Sequence, residues 1–296
     1  MGVDRREKGE VPAAIIDGRA AAAQMRAALF ERGIRLRERG IFPCLAVVIV
    51  GEDGPGRAYV RSLVTAGKQT AIDVVVERLP SAASEPMVRA ELERLGRDPS
   101  VHGVILAQPL PPGLSIRAVA ECIPADKDVD CSNPLNQGRL AFGSGTDFVP
   151  ATPAAVMYLL RRSPAWPIRG KHCVTIGRSQ VVGLPASLLM LFEDATITVT
   201  HRHTRDLPSH TRSADIVVAA AGVPRLITGE MLRPGCTVID VGTTIVDGKL
   251  VGDVDFESAS RVAGAITPVP GGVGPVTNVA LMKNVLRACE RLTDGP

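Results

Sequence analysis

The chain has 296 residues, 45% of them hydrophobic and 22% charged, which is length enough for two ordinary domains and apolar material enough for a substantial core. A formal net charge of +3 is mild, far from the clustered basic stripe of a nucleic-acid binder, so nucleic acid is not expected as a partner. No apolar run approaches the roughly 18 residues that span a bilayer, and the opening MGVDRREKGE lacks a signal peptide's apolar core. That tail is expected to be disordered and the protein cytoplasmic, without membrane contact.

In chain order, AAAQMRAALFERGIRLRERG predicts a helix, CLAVVIVG a buried strand and SEPMVRAELERLGRD a second helix. GVILA (103–107) is another buried strand, stopped by the proline-rich QPLPPG, and PAAVMYLLRR predicts a long helix leaving a first domain near Pro150. CVTIG, TITVTH, DIVVAAAG, CTVIDVG and GAITPV then supply short apolar strands at intervals that suit a parallel sheet with crossovers. The expected fold class is α/β, with two α/β domains around a cleft, the second a Rossmann-like parallel sheet. Residues 1–149, completed by a C-terminal helix over 275–296, form the first domain and residues 150–274 the second.

Two segments point to a ligand. In CVTIGRSQVVGLPASLLMLF (173–192) a strand, a turn bounded by Gly177 and Gly183 and a helix follow one another, the layout that aims helix N–H groups at phosphate. In ITPVPGGVGPVT (266–277) three prolines, three glycines and no charge predict a loop that lets backbone approach a ligand closely. Arg202, after a second strand, stands where such a fold meets the adenosine ribose and is cationic rather than acidic, which favours NADP over NAD. Arg178 adds positive charge in the turn, and Ser179 is placed to donate to phosphate. Cys44, Cys122, Cys131, Cys173, Cys236 and Cys289 lie far apart with no C-x-x-C, so neither zinc nor a disulfide framework is indicated and reduced core thiols are expected. His102, His172, His203 and His210 show no ligand or triad spacing and are assigned to surface or loop positions, and no metal is expected.

YVRS (59–62), PLPPG (109–113), DKDVD (126–130), GRSQVVGLP (177–185), VIDVG, VGDVDF and ITPVPGGVGPVT occur in an order that resembles the bifunctional methylenetetrahydrofolate dehydrogenase/cyclohydrolase family from about residue 15 to the last helix. The resemblance implies a folate domain, an NADP domain, a cleft between them and a homodimer. It implies catalytic roles for Tyr59 and Asp130, and a substrate surface of Tyr59, Gln108, Pro109, Leu110, Asp130, Pro270, Gly271 and Gly272. On the cofactor side it implies Thr152, Gly177, Arg178, Ser179, Val182, Gly183, His201, Arg202, Ala221, Gly222, Val223, Gly242, Thr243, Gly274 and Thr277.

The chain departs from the family where its chemistry is done. The family places a lysine four residues after the tyrosine, on the same helix face, and a glutamine before its Pro-Leu-Pro turn. Here those positions hold Leu63 and Ala107, and Cys131 replaces the glycine after KDVD. Lys68 lies nine residues beyond Tyr59, on the opposite side of a helix, and the Ser62 hydroxyl supplies no positive charge. Hydride transfer needs the one-carbon donor held against nicotinamide, a demand that survives Leu63. Opening the methenyl ring with water needs proton movement at nitrogen, work suited to a lysine held by a glutamine. The expected activity is NADP-dependent oxidation of 5,10-methylenetetrahydrofolate with cyclohydrolase lost or strongly impaired. Two alternatives are a paralogue that oxidises another one-carbon or amine adduct, and a folate- or nucleotide-binding protein without catalysis.

Overall fold

The protein was analysed as a computed structural model in which residues 12–51, 55–143 and 148–294 are described; the N-terminal segment expected to be disordered lies outside them. The chain runs β1 (Ala14–Ile15), α1 (Gly18–Glu38), β2 (Cys44–Val50), α2 (Pro55–Lys68), β3 (Asp73–Leu79), α3 (Glu85–Arg97), β4 (Gly103–Leu106), α4 (Ile116–Val119) and α5 (Pro134–Ala141). It continues through α6 (Ala151–Leu160), β5 (His172–Ile176), α7 (Gly183–Leu191), β6 (Thr196–Thr200), α8 (Leu207–Thr211), β7 (Ile216–Ala219) and β8 (Thr237–Asp240). It ends with β9 (Thr244–Val246), β10 (Lys249–Val251), α9 (Phe256–Ser260), β11 (Ala265–Ile266) and α10 (Val273–Asp294).

β2 is an unbroken apolar run because it is central, paired in parallel with β3 from Cys44↔Asp73 to Val50↔Leu79 and with β4 from Leu45↔Gly103. The second sheet has the order β1-β11-β8-β7-β5-β6, all parallel, and β9 and β10 form a separate antiparallel hairpin. Asp247 (φ 49°) and Gly248 (φ 74°) turn that hairpin, the two positive φ values that an Asp-Gly turn supplies.

The N-terminal strand β1 pairs with β11, so the chain touches the second sheet before it builds the first. Asp17 then caps α1, accepting from Arg19 N at 2.8 Å and Ala20 N at 3.1 Å. α10 returns across α1, α2 and α6. One buried cluster therefore joins Leu45, Leu63 and Ile105 from the first half to Met157, Ile216 and Ile239 from the second, with Leu281 of α10 between them.

The ITPVPGGVGPVT loop is shorter than its composition predicts. Ile266 closes β11 and α10 already begins at Val273, so only residues 267–272 form loop. Pro275 does not break the helix because it lies in the first turn, where its missing N–H has no partner to lose.

Candidate functional site

The turn from Gly177 to Gly183 is built by close backbone contact. Gly177 has φ +110°, and a Cβ there would lie 2.1 Å from Ala220 O; a Cβ on Gly183 would lie 2.1 Å from Gly177 O. Only glycines allow the turn to fold this tightly against β7 and α7. Ser179 Oγ accepts from Val182 N at 3.2 Å and Gly183 N at 3.4 Å, which leaves its hydroxyl proton available to an anion. Arg178 and Ser179 are exposed. The turn also meets the first half of the chain: Gln180 Oε1 accepts from Arg117 Nε at 3.0 Å and Gln180 O from Gln137 Nε2 at 3.3 Å. Beyond β6, His201 is half-buried and Nδ1 accepts from His203 N at 3.2 Å, while Arg202 is exposed with Nε directed to His203 Nε2 at 3.1 Å. Thr152 is half-buried in the first turn of α6.

At the ends of β7 and β8 two buried carboxylates hold the backbone. Asp253 Oδ2 accepts from Ala221 N at 2.5 Å and Gly222 N at 2.8 Å, so those N–H groups are occupied, and Val223 follows, exposed. Asp240 accepts from Gly242 N (2.9 Å), Asp253 N (2.9 Å) and Val254 N (3.0 Å), and Thr267 Oγ1 accepts from Asp240 N (2.7 Å). Burial raises both carboxyls, Asp240 to about 6. VGDVDF was visible as a motif, but the role of Asp253 depends on partners 31 and 32 residues away. Gly242, Thr243, Pro270, Gly271, Gly272 and Gly274 converge on one cavity of about 130 Å³ beside Arg19. Thr277 lies on α10, its Oγ1 donating to Val273 O at 3.3 Å.

In the first half of the chain, Tyr59 is half-buried against the main core and Asp130 is its electrostatic neighbour; burial first, then the Asp130 carboxylate, raises the tyrosine hydroxyl above its ordinary range. Asp130 Oδ1 accepts from Ala151 N at 3.3 Å, at the start of α6, and desolvation pushes its carboxyl up to about 6. Lys127 and Asp128 are structural: Lys127 Nζ donates to Asp98 O at 2.6 Å, and Asp128 accepts from Ser132 N, Asn133 N and Asn136 Nδ2 at 2.8–2.9 Å. Asn284 of α10 donates to Val129 O and Val149 O, both at 2.8 Å, and fixes the segment carrying Asp130. Sequence reasoning missed this residue, which shows no motif.

Leu63, one turn beyond Tyr59, has no solvent exposure and belongs to the same buried cluster as Ala107 and Val129. Ala107 is likewise buried, its N–H held by Val48 O at 2.9 Å, whereas Gln108 and Pro109 are exposed and Leu110 half-buried. The Gln108–Pro109 and Val269–Pro270 bonds are cis. Cys131 is fully buried with φ 56°, a conformation suited to the glycine it replaces, and burial raises its thiol. Five of the six cysteines are buried, Cys122 being half-buried, and all are free. His102 corrects its surface assignment: it is buried, with Nδ1 accepting from Cys44 N at 3.2 Å. His172 also departs from that assignment, being half-buried at the start of β5 with Nε2 2.9 Å from Thr198 Oγ1, whereas His203 is exposed beyond β6 and His210 is half-buried in α8.

The tetrahydrofolate dehydrogenase/cyclohydrolase catalytic-domain model matches residues 16–130, and the NAD(P)-binding-domain model of the same family matches residues 150–293. Bifunctional protein FolD of Moorella thermoacetica is 45% identical over 282 residues, covering 95% of this chain and 100% of that protein. The crystal structure of the Campylobacter jejuni FolD enzyme superposes with a TM-score of 0.91 at 38% identity, covering 94% of this chain and 99% of that one. The Trypanosoma brucei methylenetetrahydrofolate dehydrogenase-cyclohydrolase, solved with NADP cofactor and inhibitor, gives 0.91 at 40% identity over 95% of this chain and 98% of that one. The chain belongs to the tetrahydrofolate dehydrogenase/cyclohydrolase family.

Proposed function

We propose that this enzyme oxidises 5,10-methylenetetrahydrofolate to 5,10-methenyltetrahydrofolate with NADP and has lost, or nearly lost, the hydrolysis of the methenyl product. Leu63 carries the reading. A fully buried alkyl side chain stands one turn from Tyr59, where the family's lysine would present its amine, and buried Ala107 replaces the amide that would hold that amine. Neither group moves a proton.

The turn suits a dinucleotide, since Gly177 and Gly183 let its backbone pack in a tight bend that a Cβ at either position would force apart, with the N-terminus of α7 beside it. Bound NADP supplies the hydride acceptor. Ser179 donates to phosphate, and Arg178 and Arg202 offer exposed guanidinium groups, Arg202 to a ribose phosphate. Tyr59 lays its ring against the pterin. Asp130, with its carboxyl raised to about 6, hydrogen-bonds the pterin edge and positions the one-carbon unit. The loop carrying Pro270, Gly271 and Gly272 closes the opposite side. On this reading residues 1–149, completed by 275–296, form the substrate domain, residues 150–274 form the NADP domain, and the enzyme is a homodimer.

The test follows reduced cofactor and methenyl product together in purified protein supplied with 5,10-methylenetetrahydrofolate and NADP. NADPH accompanied by methenyl product that persists at its spontaneous hydrolysis rate is the expected result. Faster hydrolysis overturns the loss of cyclohydrolase, and binding without NADPH overturns the oxidation.

A further inference from the structure

A second cavity, of about 350 Å³, lies between α1, α2 and α10, on the face of α2 adjoining the one that carries Tyr59 and Leu63. Arg26 of α1 and Arg61 of α2 line it, together with Thr65, Gln69 and Asn278, and among the described residues no carboxylate does. Neither arginine has an ion pair among the described residues, and Arg26 Nε is buried with no hydrogen-bond partner there. A buried guanidinium N–H left unpaired costs free energy unless a ligand meets it. The Thr65 hydroxyl donates to Arg61 O at 3.0 Å, so the cavity's free donors are the two guanidinium groups and the amides of Gln69 and Asn278. That set selects a planar anion with more than one oxygen, which is the geometry of carboxylate.

The cavity is coupled to the site already described at two points. Ser62, in its lining, donates to Tyr59 O at 2.6 Å, and Pro275 lines both this cavity and the one formed by the Gly271 loop. A ligand anchored on Tyr59 through a flat ring thus has a cationic pocket one helical turn away. Tetrahydrofolate carries its pterin at one end and a glutamyl group with two carboxylates at the other. We propose that Arg26 and Arg61 form a dicarboxylate subsite that receives the glutamyl end of the folate substrate. This assignment rests on the folate reading above, and it names the residues that distinguish a glutamylated substrate from its pteroyl core.

The test uses equilibrium calorimetry, which reads binding whether or not turnover occurs, with tetrahydrofolate, with tetrahydropteroate lacking the glutamyl group, and with free γ-glutamylglutamate. The wild-type protein should prefer tetrahydrofolate over tetrahydropteroate by about tenfold or more, the scale of a charge-assisted contact. In Arg26→Ala/Arg61→Ala the preference should vanish, with tetrahydropteroate affinity and kcat unchanged. Arg61→Glu alters an exposed position and keeps the fold, and it should reverse the preference even where the double variant is unstable. A preference retained in these variants, or absent from the wild type, overturns the subsite. Free γ-glutamylglutamate that binds without competing with tetrahydrofolate would make the cavity a separate effector site and overturn its assignment to the substrate. A glutamyl-dependent preference without NADPH production would leave the subsite standing while the dehydrogenase reading fell.

Discussion

At Asp130, burial acts on a carboxyl that the proposed reaction would use. Its folded-state value of about 6 lies above the ordinary unfolded value of about 3.9, so the fold favours the protonated form. The associated stability is fully present below pH ~4 and is lost as pH rises through ~6, a change of about 2–3 kcal/mol. Asp130→Asn keeps an oxygen to accept from Ala151 N and removes the titration. Denaturant unfolding between pH 4 and 7 should therefore show a smaller decline in the variant than in the wild type, while Asp240, raised similarly, contributes equally to both. Identical pH slopes would show that Asp130 titrates normally. Leu63 makes the opposite case, because its side chain works only by packing. Leu63→Ala should cost about 2–5 kcal/mol in the same experiment, and a loss under 1 kcal/mol would show that the pocket is looser than its burial implies. Tyr59 and Asp130 could be singled out as candidates because ordered motifs surround them, and Leu63 and Ala107 because their chemistry clashes with those motifs. Cys131 was legible as a replaced glycine, but its left-handed backbone and the buried His102 were not, since both follow from how distant strands and loops meet.

At the level of elements, alternating strands and helices could be read from periodicity because each strand is a short apolar run bounded by glycine, proline or polar residues. The end of the glycine-rich loop could not: composition marks residues 266–277 as uniformly irregular, whereas the first turn of a helix tolerates both Gly274 and Pro275. Further along the same helix, beside the KDVD segment, Asn284 bonds two backbone carbonyls from different loops. Asn284→Ala would leave Val129 O and Val149 O buried without this donor, costing about 1–3 kcal/mol. Because Val129 adjoins Asp130, the same variant should lower kcat more than it changes the KM for NADP, whose turn lies on other elements. Steady-state kinetics check this, and an effect confined to the NADP KM would show that α10 acts through the second sheet instead.

Across the whole molecule, two sheets do not make two independent folding units. β1 belongs by sequence to the first half and by pairing to the second, and Gly18, just after it, lies so close to the loop that an added Cβ would fall within 1.7 Å of Gly272 O. α10 contributes Leu281, Val285 and Leu286 to a cluster drawing on both sheets, and α1 is tied to the far end of α10 by the Arg32–Glu290 ion pair. By contrast, the direct bridge from Arg117 and Gln137 to Gln180 is exposed and polar, worth little against the buried cluster. The shared core therefore couples folding of the two halves, while the bridge at the nucleotide turn offers little resistance to local opening for a cofactor. Denaturant unfolding followed by far-ultraviolet circular dichroism and by the fluorescence of Trp166, in the second half, should give coincident single transitions. A separate earlier transition in either signal would mean that α10 and β1 only lean on the second sheet, and that the halves are joined at the cleft alone.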